Sequence, residues 1–296
     1  MSPSPASVSV IVTRLDRGHY LRGALESIAT ASTKGVAVEI VVVAQGSNDA
    51  NVKRLVSEDA SLRGRDRNFK WIQSDVAGAS AARNAGARAA SGDYVIFLDA
   101  DGLLSSGTID VRRERIVERS ADLVVTNYLS CNEEQNLFWA AEPSTVTQDD
   151  LNFQSFSRRW ERGVFVPLAA GLFRRDLVLR LPFDEDLQGF EAWLFWMRLL
   201  ASTEKAVYVP TIGCVQRAHA DNTRVNRREM ALSADWIDAA ARAARDIPRF
   251  GETERRLAWR HWEDVRQEYF RQAFGSSFPE RFHGALFADL AAMSGE

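Results

Sequence analysis

Short runs of consecutive apolar residues alternate with stretches of helical period through the first hundred residues. Val8 to Val12 is a β-branched run, and Tyr20 to Ala29 then places Leu21, Ala24, Leu25 and Ile28 at helical spacing. Ile40 to Val43 predicts a second buried strand, followed by a helix from Asn51 to Val56, and Phe69 to Ile72 is a third, weaker strand. Ser80 to Ala90 is an Ala-rich helix, broken by Ser91-Gly92 before a fourth strand from Tyr94 to Leu98. Apolar strands separated by helices predict a parallel sheet covered on both faces. Such sheets bind ligands beyond the carboxyl ends of their strands.

After residue 101 the pattern loosens. Val111 to Val117 reads as a helix, Leu123 to Tyr128 as a strand, and Asn132 to Asn152 as a polar, loop-rich stretch. A helix over Leu187 to Leu200 carries a strongly aromatic face with Phe190, Trp193, Trp196 and Met197, and Ala206 to Pro210 suits a further strand. From Arg224 onward the pattern predicts amphipathic helices over Met230 to Ala244, Thr253 to Phe274 and Phe282 to Ala292. These boundaries divide the chain into an α/β domain over residues 1–223 and a C-terminal helical extension over 224–296. The extension reads as a tail, not as a second catalytic domain.

The fourth strand carries the most chemistry. GDYVIFLDADG, from Gly92 to Gly102, holds a fully apolar run, Tyr94 to Leu98, that ends in Asp99 and Asp101. In an extended backbone, side chains two positions apart point to the same side, roughly 6.6 Å along the strand. Carboxylates at the mouth of a buried strand are costly to desolvate unless something positive lies between them. A hard Mg²⁺ or Mn²⁺ ion suits that role, taking one or two carboxylates and leaving its other positions to substrate phosphates. Alone, a D-x-D is more often an acidic turn.

Composition narrows the choice. With 46% hydrophobic and 26% charged residues, the 296-residue chain has the make-up of an ordinary soluble globular protein. Lys+Arg at 37 against Asp+Glu at 40 gives a net charge of -3, which supplies no basic field for nucleic acid. The two cysteines, Cys131 and Cys214, lack metal-ligand spacing and suit free thiols in a reducing compartment. MSPSPAS has no charged signal-peptide start, and no run approaches the ~18–20 apolar residues of a membrane span. A cytoplasmic protein is expected, with loose attachment to the inner membrane face left open. No G-x-G-x-x-G follows the first strand, which disfavours a dinucleotide-dependent oxidoreductase. Between Thr13 and His19 only Gly18 accompanies Arg14 and Arg17, so the glycine-rich basic loop of a nucleotidyltransferase is missing too.

Taken in order, SVSVIVT with the YLRGALESI helix, VVVAQGSND, GASAARNAGARAASGDYVIFLDADG, AAGLFRRDLVLRL-PFDEDL, GFEAWLFWMRL and Arg217-Ala218-His219 resemble the family 2 glycosyltransferases. The similarity runs from about Val8 to His219. It implies a GT-A fold, a Rossmann-like, mixed, mostly parallel sheet flanked by helices. It also implies inverting transfer of a sugar from a nucleoside-diphosphate sugar to the hydroxyl of a glycan or glycolipid acceptor, in cell-surface polysaccharide or glycan synthesis. By the resemblance, Asp101 is the direct metal ligand, Asp99 contacts ribose or a metal-bound water, and His219 completes the shell of Mn²⁺ or Mg²⁺. Arg83, in the ARN element, points toward the diphosphate or the carboxylates, and Gly78 lets the backbone approach the nucleotide. A solvated arginine on an Ala-rich helix is the plainer reading of Arg83.

The chain departs from the family pattern at functional positions. The turn after the first strand reads Thr13-Arg14-Leu15-Asp16, where Thr13 and Leu15 are assigned to the nucleotide without a ring to stack on it. The second strand ends in Ala44-Gln45 in place of paired aspartates, so Gln45 is the residue left to read a base edge. Most consequential is GFEAW, in which Ala192 stands where the family's basic aspartate falls. Glu191 is then the assigned catalytic base, with Asp184, Glu185 and Asp186 as alternatives that also suit capping of the Leu187 helix. Trp193 is an acceptor-platform candidate, with core packing as the competing role for both Trp193 and Trp196. Losing the aspartate also leaves open a catalytically degenerate protein with a nucleotide-sugar-binding or scaffold role.

Overall fold

A computed structural model describes residues 6–13, 18–34, 36–45, 67–74, 76–132, 137–139, 146–161, 166–187, 189–217, 234–248 and 250–251. In chain order the strands are β1 (Val8–Thr13), β2 (Val38–Gln45), β3 (Arg67–Ser74), β4 (Tyr94–Asp99), β5 (Leu103–Leu104), β6 (Leu123–Asn132), β7 (Leu137–Trp139), β8 (Gly171–Arg174) and β9 (Ala206–Arg217). The helices are α1 (Gly18–Ala31), α2 (Ala79–Ala89), α3 (Thr108–Glu118), α4 (Phe153–Glu161), α5 (Arg175–Arg180), α6 (Glu191–Ser202) and α7 (Ala234–Asp246). The helices expected over Asn51–Val56, Thr253–Phe274 and Phe282–Ala292 lie outside the described residues.

The strands join one sheet in the order β3-β2-β1-β4-β8-β6-β9-β5, with β7 added beside β6. β3, β2, β1 and β4 are parallel; the apolar runs of β1, β2 and β4 suit strands covered on both faces, while β3 (RNFKWIQS) is the half-exposed edge, and β8 lies antiparallel between β4 and β6. Every residue of β1 is buried, and so are Tyr94–Leu98 of β4. Helix α2 sits unusually low on this half of the sheet. A Cβ added at Gly86 would stand 2.2 Å from Ile11 Cγ2 and 3.1 Å from Val43 Cγ2, so only glycine fits there. No helix among the described residues is long and apolar enough to cross a membrane.

Two polar tie-points hold the scaffold away from the ligand end. Glu39, buried near the start of β2, accepts from Ser9 Oγ (2.5 Å), Ser91 N (2.7 Å) and Ser91 Oγ (2.8 Å), and it pairs with Lys70 Nζ at 2.6 Å. Arg112 of α3 is completely buried. Its guanidinium donates to the carbonyls of Ala169 (2.7 Å) and Gly171 (3.4 Å) and to Thr126 Oγ1 (3.0 Å). Burial pushes its pKa down to about 10, against a smaller opposing effect of the Cys214 side chain. Gly213 makes the room, since a Cβ there would lie 2.1 Å from both Arg112 Nη2 and Thr126 Oγ1.

Two expected boundaries move, each for a local reason. The strand expected to end at Pro210 continues to Arg217. Proline has no N–H for the ladder, but the pairing with β6 steps from Thr126↔Val209 to Asn127↔Ile212, so Pro210 and Thr211 fall in the irregularity. The aromatic helix begins at Glu191, not Leu187, because Phe190 adopts a left-handed conformation (φ 59°) that interrupts a helix. The stretch expected to be loop-rich also contains β7, while α4, β8 and α5 were not anticipated as elements.

Candidate functional site

The carboxyl ends of β1 and β4 meet the second turn of α2 and the first turn of α6 in a chain of charged groups. β4 ends at Asp99, level with Thr13 at the end of β1. Asp99 Oδ1 accepts from Thr13 Oγ1 and from Arg83 Nη2, both at 3.2 Å. Arg83 Nη1 donates to Glu191 Oε1 at 2.8 Å. One guanidinium therefore bridges two carboxylates carried on different elements. Arg83 is 3% exposed, whereas the side chains of Asp99 and Glu191 keep 21% and 19% of their surface. The guanidinium is buried while the two acids keep part of their surface in solvent.

This geometry replaces the solvated-arginine reading of residue 83. Burial works against the charge on Arg83, but Asp99 and Glu191 outweigh it and raise its pKa above the ordinary arginine value. The ring of Phe183 lies beneath the guanidinium, 5.4 Å from Cζ to the ring centroid. Asn84, the next residue, clamps Phe183 by donating to its carbonyl and accepting from its N–H, each at 2.9 Å.

Asp101 is not on an extended strand, which corrects the expectation that its side chain follows Asp99 by strand alternation. Ala100 and Asp101 form a turn, closed by Gly102 N–H donating to Asp99 O at 2.8 Å. Ala100 N–H donates to Thr13 O at 2.9 Å, which fastens the turn to β1. From the other side, Arg217 at the end of β9 donates from Nη1 to the carbonyl of Asp101 at 2.8 Å, and its guanidinium lies 4.8 Å over the ring of Tyr20. The turn is thus held from β1 and from β9, a role for Arg217 that motif spacing does not reveal.

Other expected site residues separate into distinct groups. Thr13 is completely buried and turns its hydroxyl to Asp99, so it positions an acid and does not face a nucleotide. Trp193 is a correction as well. Only 2% exposed and edge-on to Phe250 at 6.4 Å, its ring packs in the interior and offers no platform to a sugar. Trp196 is fully buried and donates Nε1–H to Val166 O at 3.0 Å. Asp184 and Glu185 do not cap α6. Asp184 pairs with Arg198 and Arg242, and Glu185 accepts from Asn84 at 2.8 Å. Gln45 closes β2 opposite Ser74, with its side chain outside the described atoms, and Leu15 and His219 lie outside the described residues. Gly78 has φ 112°, a backbone that side-chain-bearing residues avoid, and an added Cβ would meet nothing within 4 Å. Its role is conformational freedom ahead of α2.

The donor set suits a hard divalent ion: Asp99 and Asp101 supply oxygen at one sheet end, with phosphate oxygens of a ligand left to complete the sphere. Among the described residues no three His, Cys, Asp or Glu side chains converge on one point.

The profile described as "Glycosyl transferase family 2" matches residues 9–179. Glycosyltransferase GlyA of Streptococcus pneumoniae is 32% identical over 209 residues, which span 68% of this chain and 29% of GlyA. The poly(ribitol-phosphate) beta-N-acetylglucosaminyltransferase TarP of Staphylococcus aureus is 28% identical over 121 residues, 41% of this chain and 36% of TarP. The chain thus spans about a third of the length of these two relatives. Among solved structures, S. aureus TarS 1–349 in complex with UDP-GlcNAc superposes with a TM-score of 0.65 at 17% identity, covering 90% of this chain and 76% of that one. The mannosyltransferase PcManGT of Pyrobaculum calidifontis, in complex with GDP-Man and Mn²⁺, gives 0.62 at 19% identity, covering 99% and 82%. The shared arrangement is the GT-A fold.

Proposed function

The chain belongs to glycosyl transferase family 2 and is a glycosyltransferase, and we propose that it moves a sugar, with inversion, from a nucleoside-diphosphate sugar to a hydroxyl of a cell-surface glycan or glycolipid at the inner membrane face. The observation that carries this reading is the Thr13–Asp99–Arg83–Glu191 chain at the carboxyl ends of β1 and β4. It sets a buried cation between an acid on the donor side and an acid at the start of α6. Relatives in polymer glycosylation such as TarP support the acceptor class, and the UDP-GlcNAc and GDP-Man complexes of TarS and PcManGT support the donor class.

Asp101 and His219 would hold Mn²⁺ or Mg²⁺, which when bound supplies Lewis-acid stabilisation of the departing diphosphate. The remaining work falls to the chain's own residues. Thr13 and Arg83 fix one oxygen of Asp99, so that carboxylate keeps a single orientation toward the donor. Arg83 places positive charge beside the pocket in which negative charge grows as the anomeric bond breaks. Glu191 has Oε1 held by Arg83, and we assign Oε2 to accept the proton from the attacking hydroxyl. Ala192, 6% exposed in the same helical turn, has no group for that task.

A panel of nucleoside-diphosphate sugars, assayed for transfer or donor hydrolysis with and without Mn²⁺, tests the reading. Turnover that depends on the ion, and that Asp101→Asn and Glu191→Ala each reduce by about 10²-fold or more, is the expected result. Turnover by Glu191→Ala at the wild-type rate would remove the base assignment. Donor binding without turnover in the unaltered protein would favour a binding-only role.

A further inference from the structure

Arg83 has long, flexible arms, and its two carboxylate partners are themselves partly hydrated, so its placement needs support from below. That support is the segment Phe183–Asp186. The Phe183 ring carries the guanidinium and stacks on Phe195 at 4.2 Å with 16° between planes. Asn84 grips Phe183 through both backbone groups and also donates to Glu185 Oε1 at 2.8 Å. Between these two residues stands Asp184, only 11% exposed and turned the opposite way. It accepts from Arg242 Nη1 of α7 at 2.7 Å and from Arg198 Nη2 of α6 at 3.4 Å, and Arg198 also pairs with Asp246 at the end of α7.

A second contact from the same stretch reaches the other side of the charge chain. Phe250, just beyond α7, packs edge-on against Trp193, two residues after Glu191, and against Phe153 of α4, each at 6.4 Å. Ile247 and Phe250 are 3% and 4% exposed, so this docking is a true part of the core. Asp184, Trp193, Arg198, Arg242, Ile247 and Phe250 all lie beyond residue 179, where the family match ends.

We propose that Asp184 is a positioning residue for Arg83, and that helix α7 and Phe250 are a working part of the transfer site through Arg242 on Asp184 and Phe250 on Trp193. The linkage is short: helix α7 fixes Asp184, Asp184 fixes the backbone on both sides of it, and that backbone holds Phe183 and Glu185 against the Arg83–Asn84 pair. Displacement of a charge-stabilising group by a fraction of an ångström is enough to lower a transfer rate while leaving ground-state binding in place. The proposal rests on the reading of the site as a nucleotide-sugar transfer centre only for its kinetic arm.

The test compares the full chain with Arg242→Gln, Arg242→Lys and Asp184→Asn. In Arg242→Gln, Arg198 still holds Asp184, so the protein is expected to fold. Its kcat for donor-sugar transfer or hydrolysis should fall about 5–20-fold with donor KM within about twofold of wild type, and Arg242→Lys should restore most of the rate. Independently of any activity, amide hydrogen exchange should quicken in peptides covering residues 80–86 and 183–187 while those of β1 and β2 stay as in wild type. Wild-type kcat together with wild-type exchange in Arg242→Gln overturns the proposal, as does faster exchange spread evenly through the molecule. If the unaltered protein turns over no nucleotide-sugar at all, the transfer reading fails, and the exchange pattern alone decides whether α7 holds the Arg83 segment.

Discussion

Replacing Arg83 with Met removes one charge and leaves two acids facing the space it filled. At about 4 Å and an effective dielectric of ~20, each ion pair is worth ~4 kcal/mol of attraction before desolvation is counted. Burying the guanidinium to 3% exposure takes back most of that sum. Removing one partner of a fully buried pair typically costs about 3–5 kcal/mol. Here Asp99 and Glu191 retain 21% and 19% of their surface and can recover water, so the expected cost of Arg83→Met is nearer ~2–3 kcal/mol. Eight tryptophans give a fluorescence signal for urea unfolding. With a slope of about 3 kcal/mol/M the midpoint should drop by about 0.8 M. Glu191→Gln alone should cost less, and in Arg83→Met/Glu191→Gln the two losses should overlap by about 1–2 kcal/mol, because one unpaired acid has gone. Strict additivity in this cycle, or a midpoint for Arg83→Met within about 0.2 M of wild type, would refute the bridging role.

Three further predictions concern the scaffold. Gly213→Ala drives a methyl to 2.1 Å from Arg112 Nη2 and Thr126 Oγ1, so the guanidinium must abandon partners it cannot replace; a loss of about 3 kcal/mol or more is expected, and an unchanged melting temperature would count against it. In Gly86→Ala the gain in helix propensity, about 0.5–1 kcal/mol, is smaller than the overpacking against Ile11 and Val43, so thermal unfolding should show a net loss of about 1–2 kcal/mol, and a stabilised variant would disprove the close seating of α2. For Glu39, burial pushes the pKa up, but Lys70, Ser9 and Ser91 outweigh it and hold it below the ordinary value. Its stabilisation is therefore fully present above about pH 4.3 and is lost as pH falls through the depressed folded-state value. Glu39→Gln should cost about 1–2 kcal/mol at pH 7, after allowance for the 37% exposure of Lys70, with the gap to wild type closing in acid; a gap that stays constant down to pH 3.5 would contradict this.

The parallel half of the sheet was legible because β1, β2 and β4 are buried on both faces, and only unbroken apolar runs satisfy that requirement. Asp99 and Asp101 were legible as acids at a strand mouth, but not their geometry, since period-2 alternation stops where the chain turns at Ala100. The arginine bridge was hidden for a different reason. Arg83 and Glu191 are 108 residues apart, and an Ala-rich helix gives no sign of which face is covered by Phe183. Trp193 shows the limit of composition: an aromatic at helical spacing beside an acid reads equally as a sugar platform or as core, and the choice is made by Phe250 from a distant segment. The start of α6 was misplaced because Leu187 fits the helical period, while the left-handed backbone of Phe190 leaves no mark in hydropathy.

The seating of α2 at Gly86 has a bearing on inhibitor discovery. A helix locked into the sheet without slack presents its cationic end as a fixed mould, and small acids offered to it would be graded by shape, not by induced adjustment. Fragments carrying a pyrophosphate or dicarboxylate mimic could then be grown from that anchor, with gains in affinity expected to add from one piece to the next.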